Sequence, residues 1–352
     1  MIRTIKVLVV DDSALIRQLI TRALEQDPRL EIVGTARDGV QAIEKARALQ
    51  PDVITLDVQM PELSGLEALP YIRKATEARI VILSSLDDGD TTYQALCAGA
   101  VDFLAKPRGG VASSLAELSE VLIKKIKTAY RVSPEKMVTA APVMPEEEPE
   151  AGAPGVESTG LEKIVAIAAS TGGPPALERV FSGLDRRLSG AFLVVQHLPV
   201  GFSTSLARRL ARVTDLDVIE AANGYPLQPR TVYVAPAGVH MEVERSPDGR
   251  PRVRLAEGSA LHGVRPAADR LFLSLAEQGF AEQVVGVVLT GMGSDGAQGL
   301  RELFLGGAET IAQNEETSVV WGMPGAAVRI GAVKHVAALG YVPAEIRRAF
   351  RS

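Results

Sequence analysis

Over the first third of the chain, short apolar runs rich in β-branched residues alternate with stretches whose apolar positions return at a helical period. The runs are KVLVV, EIVGTA, DVITLD, RIVILSS and DFLAKP. Near-continuous apolar strands separated by amphipathic helices are what a parallel sheet covered on both faces requires. The pattern predicts a five-stranded doubly wound α/β domain over residues 1–128, closed by the helix SSLAELSEVLIKKIKTAY. It then stops. Residues 129–159, rich in Pro, Glu, Ala and Gly and carrying the run EEEPE, predict a flexible acidic linker. Strand-like runs resume with KIVAIAAS, AFLVVQH, DVIEA, TVYVAPA, HMEVERS, RVRLAE, VVGVVLTG and TIAQ. Helical patterns lie between them, among them PPALERVFSGL and DGAQGLRELFLGG. Residues 160–352 therefore predict a second doubly wound parallel-sheet α/β domain, with an antiparallel hairpin where SPDGRP turns between HMEVER and RVRLAE.

Composition narrows this picture. A length of 352 residues suits two cores, and 46% apolar with 23% charged residues is a globular balance. A net charge of -5 argues against nucleic-acid binding by the chain as a whole. The single Cys97 excludes an intramolecular disulfide. The opening MIRTIKVLVVDD has too short an apolar run for a membrane span, so a cytoplasmic protein without membrane insertion is expected.

Candidate chemistry collects at strand ends, where a parallel sheet forms its binding crevice. In the first half Asp11 and Asp12 follow KVLVV, Asp57 follows DVITL, Ser84 closes RIVILS, and Lys106 closes DFLAK. Three carboxylates repel one another unless a divalent cation joins them, and oxygen-only ligands suit Mg²⁺. Carboxylates, metal, hydroxyl and lysine together form the set needed to transfer a phosphoryl group to Asp57. Taken singly, Asp11 and Asp12 also read as a helix cap before SALIRQLI and Lys106 as a surface charge. The strings VLVVDDSALIR, ITLDVQMPELSGLE, VILSS and GAVDFLAKP resemble the receiver domains of two-component signalling, which are flavodoxin-like. That resemblance implies phosphorylation at Asp57 and Mg²⁺ held by Asp12, Asp57 and the Gln59 backbone carbonyl, with Asp11 acting through water. It also implies switch roles for Lys106, Ser84 and Phe103, with Ser85 an alternative to Ser84.

In the second half Ser170 ends IVAIAAS, His197 ends AFLVVQH, and Asp295 lies in VVGVVLTGMGSDG. A hydroxyl, an imidazole and a carboxylate at neighbouring strand ends make an acyl-transfer triad; each alone reads more readily as a helix cap or a structural histidine. Gly172 and Gly173 permit a tight bend before a helix, where backbone N–H groups stabilise negative charge. STGGPP lacks the lysine of a phosphate-binding loop. The segments IVAIAASTGGPPAL, VVQHLPVGFSTSLARRL, YVAPAGVHMEV, HGVRPAADRLF, VVLTGMGSDGAQGL and IAQNEETSVVWGMP resemble the catalytic domain of the CheB chemotaxis methylesterases. The resemblance implies Ser170 as nucleophile, His197 as base and then acid, and Asp295 as the orienting carboxylate. Thr171 and Met292 would line the oxyanion site and Arg265 would lie near the substrate cleft, with no cofactor in this domain. His240, His262 and His335 are expected to be non-catalytic. Gly325 and Ala326 stand where relatives often carry a basic residue.

The whole then implies a monomeric, phosphorylation-activated esterase in chemotactic adaptation. It would act on glutamate methyl esters of methyl-accepting chemoreceptors, also deamidate receptor glutamines, and take its phosphoryl group from a chemotaxis histidine kinase. Two other outputs compete with it: a non-catalytic binding domain and a hydrolase of small esters.

Overall fold

In the computed structural model, residues 4–85, 89–106, 113–137 and 160–351 are described, apart from the side chains of 113–118 and of Met137. The chain divides into two compact units, Met1–Ala140 and Ala141–Ser352. No described helix is long and apolar enough to cross a membrane.

The first unit runs β1 (Ile5–Val10), α1 (Ala14–Leu24), β2 (Leu30–Ala36), α2 (Gly39–Leu49), β3 (Val53–Asp57), α3 (Gly65–Ala75), β4 (Arg79–Ser84), α4 (Gly89–Cys97), β5 (Asp102–Ala105) and α5 (Ser113–Arg131). The five strands are parallel in the order β2-β1-β3-β4-β5, so the direction of winding reverses between β1 and β3. Their interiors are fully buried, as two-sided coverage demands: Val7 to Val10, Ile54, Leu56 and Val81 have no exposed surface. Helix α1 is capped by Ser13, whose hydroxyl accepts the Ile16 N–H. The acidic pair before it is therefore not its cap and is left for the strand-end crevice. Of the expected linker 129–159, the first residues belong to described structure: α5 continues to Arg131, a single 3₁₀ turn spans Pro134–Met137, and Arg79 donates to the Val132 carbonyl. Residues 138–159, including EEEPE, lie outside the described residues.

The second unit runs β6 (Lys163–Ala169), α6 (Gly173–Ser182), β7 (Gly190–Gln196), α7 (Ser203–Leu210), β8 (Asp217–Glu220), β9 (Thr231–Val234), β10 (His240–Arg245), β11 (Pro251–Ala256), α8 (Ala268–Glu277), β12 (Val284–Val288), α9 (Ala297–Leu305), β13 (Glu309–Gln313), α10 (Met323–Arg329), β14 (His335–Ala337) and α11 (Val342–Ala349). Seven parallel strands lie in the order β14-β13-β12-β6-β7-β9-β8, and β10 and β11 form the expected antiparallel hairpin. From β6 the chain winds one way to β7 and later returns to lay β12 on the other side. Right-handed crossovers in opposite directions place α6 on one face and α8, α9 and α10 on the other. The side chains agree. Ala166, Ala168, Leu193 and Val195 share a core with Leu271, Phe272, Leu300, Leu303 and Met323. The alternate position Phe192 meets Phe181 of α6 edge to face at 5.9 Å.

Candidate active site

Ser170 leaves β6 at the point where strand order reverses, so the crevice expected at such a switch opens beside it. Its N–H donates to the Thr290 carbonyl at 3.0 Å, fixing the end of β6 to the chain leaving β12. The His197 N–H donates to the Ala169 carbonyl at 3.1 Å, fixing the end of β7 on the opposite side. Gly172 has φ +74°, a left-handed conformation that glycine adopts without a Cβ penalty, and α6 begins at the next residue. The turn thus leaves Ser170 half-buried at the head of a helix. Gly291 is needed for a different reason. A Cβ there would lie 2.3 Å from Met323 Sδ and 2.8 Å from Ser170 Cβ, so no side chain fits against the serine.

His197 Nε2 donates to Asp295 Oδ2 at 2.7 Å. With that nitrogen committed to a carboxylate, Nδ1 is the one left to accept a proton. Asp295 is buried, and its oxygens also accept the N–H groups of Ala268 (2.7 Å) and Asp269 (3.0 Å). These are the first two residues of α8, whose own preceding residue, Ala267, offers no side-chain cap. The carboxylate that precedes α9 in sequence therefore caps α8 in space. Burial works against its charge, but the His197 imidazole and these two N–H groups more than offset it and hold the carboxyl below the ordinary value.

Several contributors were not legible as site residues. Gln196, buried one position before His197, donates from its amide to both the Ser170 carbonyl (2.9 Å) and the His197 carbonyl (3.1 Å), bridging the two strand ends. The Thr290 hydroxyl donates to the Thr171 carbonyl at 2.9 Å and accepts the Val320 N–H at 3.0 Å. Of the expected lining residues, Thr171 is buried beside Ser170 and Met292 is half-buried beside Gly291. Arg265 is exposed, and its guanidinium donates to the Gly258 carbonyl. His240 is buried, with Ala267 N–H and Ser259 carbonyl as partners, and His335 faces Glu309 at 3.2 Å. His262 is different: it reaches Asp269, next to Asp295. At Gly325 a Cβ would lie 3.0 Å from the Trp321 ring, so a side chain there would require that ring to shift by a few tenths of an ångström.

In the first unit the strand-end residues also converge. Carboxylate oxygens of Asp11, Asp12 and Asp57 lie within 4.8 Å of one another. Lys106 Nζ is 2.7 Å from both Asp11 Oδ2 and Asp57 Oδ2, and among the described residues neither buried oxygen has any other donor aimed at it. Three carboxylates with one ammonium leave an excess of negative charge at an oxygen-only site, which fits a hard divalent cation such as Mg²⁺. The Ser84 hydroxyl donates to the Ser85 carbonyl and accepts from Thr92 of α4, while Phe103 is buried on β5.

Burial, assisted by the Asp11 charge and opposed by Lys106, pushes the Asp57 carboxyl from the ordinary 3.8 up to about 6. A carboxyl raised in the folded state binds more protons than in the unfolded chain between those values, so stability falls as pH rises through that window. The penalty is complete above it, at about 3 kcal/mol. In a chelating buffer at neutral pH, Asp57→Asn is expected to stabilise the first unit by about 2 kcal/mol. The gain should fade below about pH 5 as the wild-type carboxyl takes up its proton. Denaturant unfolding of the full chain at the two pH values measures this; equal stabilities at neutral pH would contradict it.

Comparison with known proteins agrees in both halves. A family model described as CheB methylesterase matches residues 165–346, and one described as response regulator receiver domain matches residues 7–112. A Pyrococcus horikoshii protein named protein-glutamate methylesterase/protein-glutamine glutaminase is 42% identical over 99% of this chain and 94% of its own length. A Bdellovibrio bacteriovorus protein of the same name is 43% identical over 98% and 97%. The crystal structure of the Thermotoga maritima CheB methylesterase catalytic domain superposes with a TM-score of 0.51 at 34% identity, covering 54% of this chain and 97% of that one.

Proposed function

The chain belongs to the CheB methylesterase family, with a receiver domain ahead of the methylesterase domain, and from that premise we propose that it is a phosphorylation-controlled protein-glutamate methylesterase that also deamidates glutamines. The observation that carries the reading is the 2.7 Å bond from His197 to a buried Asp295, at the strand end beside Ser170. Residues 160–352 perform the hydrolysis, residues 1–128 with the rest of α5 receive the phosphoryl group, and the remainder of the stretch to 159 joins them. The protein acts as a monomer in the cytoplasm on methyl-accepting chemoreceptors.

The Ser170 hydroxyl attacks the γ-carbonyl of a glutamate methyl ester while His197 takes its proton. Asp295 stays ionised and steadies the imidazolium so formed. Thr171 and Met292 flank the nucleophile, where the backbone at the head of α6 and beside Gly291 supports the oxyanion. His197 returns the proton to departing methanol, leaving an acyl-enzyme. It then activates the water that releases free glutamate. With a glutamine side chain the same steps expel ammonia, and Arg265 borders the path by which substrate arrives.

Control comes from Asp57, which accepts a phosphoryl group from a chemotaxis histidine kinase. Asp11, Asp12, Asp57 and the Gln59 carbonyl would hold Mg²⁺, which when bound neutralises phosphoryl oxygens. Lys106 holds the transferred group, Ser84 turns toward it, and Phe103 repacks in response.

Methanol release from methylated receptor by the full chain, with and without a small phosphodonor and Mg²⁺, tests the reading. Release in both conditions, faster by several-fold or more on phosphorylation, is expected. Equal rates would remove phosphorylation control. No methanol from the receptor, together with turnover of free small esters, would make the chain a small-ester hydrolase instead.

A further inference from the structure

His262 occupies a position that its surface location does not explain. Its backbone is in the left-handed region at φ +56°, uncommon for a side-chain-bearing residue and tolerated by few. It stands in a short turn closed by reciprocal Leu261 and Val264 backbone bonds of 3.0 and 3.1 Å. The turn aims the imidazole inward: Nε2 is 2.7 Å from Asp269 Oδ2 and 4.0 Å from Asp295 Oδ1. Both carboxylates are only 2% exposed. The two residues are also tied through the backbone, since the Asp269 N–H donates to Asp295 Oδ1 at 3.0 Å, and Asp269 Oδ1 accepts the Gly299 N–H at 2.7 Å. The chain His262, Asp269, Asp295, His197 thus runs from solvent to the reacting imidazole.

We propose that His262 is a positioning residue of the hydrolytic site, setting through Asp269 how much negative charge surrounds Asp295 and hence how firmly His197 holds a proton. The proposal rests on the esterase reading above. When His262 carries a proton, it cancels the Asp269 charge and leaves Asp295 alone to act on His197. When it is neutral, two buried carboxylates face His197 from behind. The environment of Asp269 suits this role. Burial first, and the Asp295 charge in addition, push its carboxyl up, whereas Asp295 is held low. Paired groups pushed apart in this way take different parts in proton chemistry. The charged groups facing His262 are Asp269 from α8 and Asp295 from the loop after β12, while Arg265 of its own turn is engaged with the Gly258 carbonyl.

The test uses the full chain and two variants that preserve shape. His262→Asn keeps a residue tolerant of the left-handed backbone. Asp269→Asn keeps an oxygen for the Gly299 N–H. The acid limb of kcat/KM for methanol release reports loss of neutral His197. With Asn at 262 no proton can offset the carboxylate pair, and the acid limb is expected to move up by about half a pH unit or more. With Asn at 269 one negative charge is gone, and it is expected to move down by a similar amount. Opposite shifts of the His197 ring signals in an NMR titration of the same variants would support the proposal without reference to turnover. An acid limb and ring titration unmoved in both variants, or displaced in the same direction, would overturn it even with esterase activity intact. A wild-type chain that releases no methanol would instead overturn the esterase reading, and the ring titration would still decide the charge coupling.

Discussion

Replacing Ser170 by Ala is expected to lower methanol release from methylated receptor by about 10⁴-fold or more, with the chain remaining folded. The reason for both halves is visible around the residue. The serine is held by backbone bonds, its N–H to the Thr290 carbonyl and its carbonyl to the Gly173 N–H and the Gln196 amide, none of which uses the hydroxyl. Its side chain is half-buried at the mouth of the crevice, so alanine leaves no deep cavity. What disappears is the only proposed nucleophile, while His197 and Asp295 keep their bond. Initial rates on methylated receptor, paired with thermal unfolding of wild type and variant, check the result. A loss below about tenfold would show that hydrolysis proceeds by direct attack of water and that Ser170 only shapes the turn.

Asp295→Asn is expected to cost about 10³- to 10⁴-fold in kcat and, unlike the serine change, to destabilise the second unit by about 1–3 kcal/mol. Asp295 Oδ2 accepts from both His197 and Ala268, and Oδ1 accepts from Asp269. Every oxygen position is therefore faced by a donor, and an amide NH₂ at either one must oppose an N–H. The less damaging orientation turns it toward the Asp269 N–H and keeps an oxygen for His197. The tautomer then survives, but the charge that steadies the imidazolium does not. The same replacement also removes the carboxylate from the N-terminus of α8, whose dipole favours an anion. Steady-state kinetics and denaturant midpoints separate the two effects. A variant as stable as wild type would show that α8 draws nothing from this cap.

Much of this site is legible from sequence because its chemistry stands at strand ends, and strand ends are where an apolar run meets its first polar residue. Ser170 and Lys106 announce themselves in that way, and His197 and Asp57 close their runs one or two residues after the first polar position. The five strands of the first unit follow from their β-branched runs for the same reason. What escapes depends on contacts between distant segments. Asp295 precedes a helical pattern and reads locally as its cap, yet the helix it caps begins at Ala268. Gln196 looks like one more strand residue until its amide is seen spanning two chain ends. His262 reads as non-catalytic because nothing local shows that a left-handed turn points it inward. Among the elements, β14 has only three residues, too few for a period to show. Helix α10 opens Met-Pro-Gly, a poor helix sequence, and forms because Met323, Ala326 and Ala327 are buried in the core.

The bonds that assemble the hydrolytic crevice also govern when it comes into being. Gln196 reaches back 26 residues to Ser170, His197 reaches forward 98 to Asp295, and Thr290 reaches back 119 to Thr171. Such long closures are made late, after local helices and hairpins have formed. A growing chain that has emerged only as far as β11 already carries Ser170 and His197. It lacks the strand to which the serine turn is bonded and the carboxylate that steadies the imidazole. On the proposed reading, the nascent protein therefore carries its serine and histidine before the site around them is whole, and the site is completed when β12 docks beside β6.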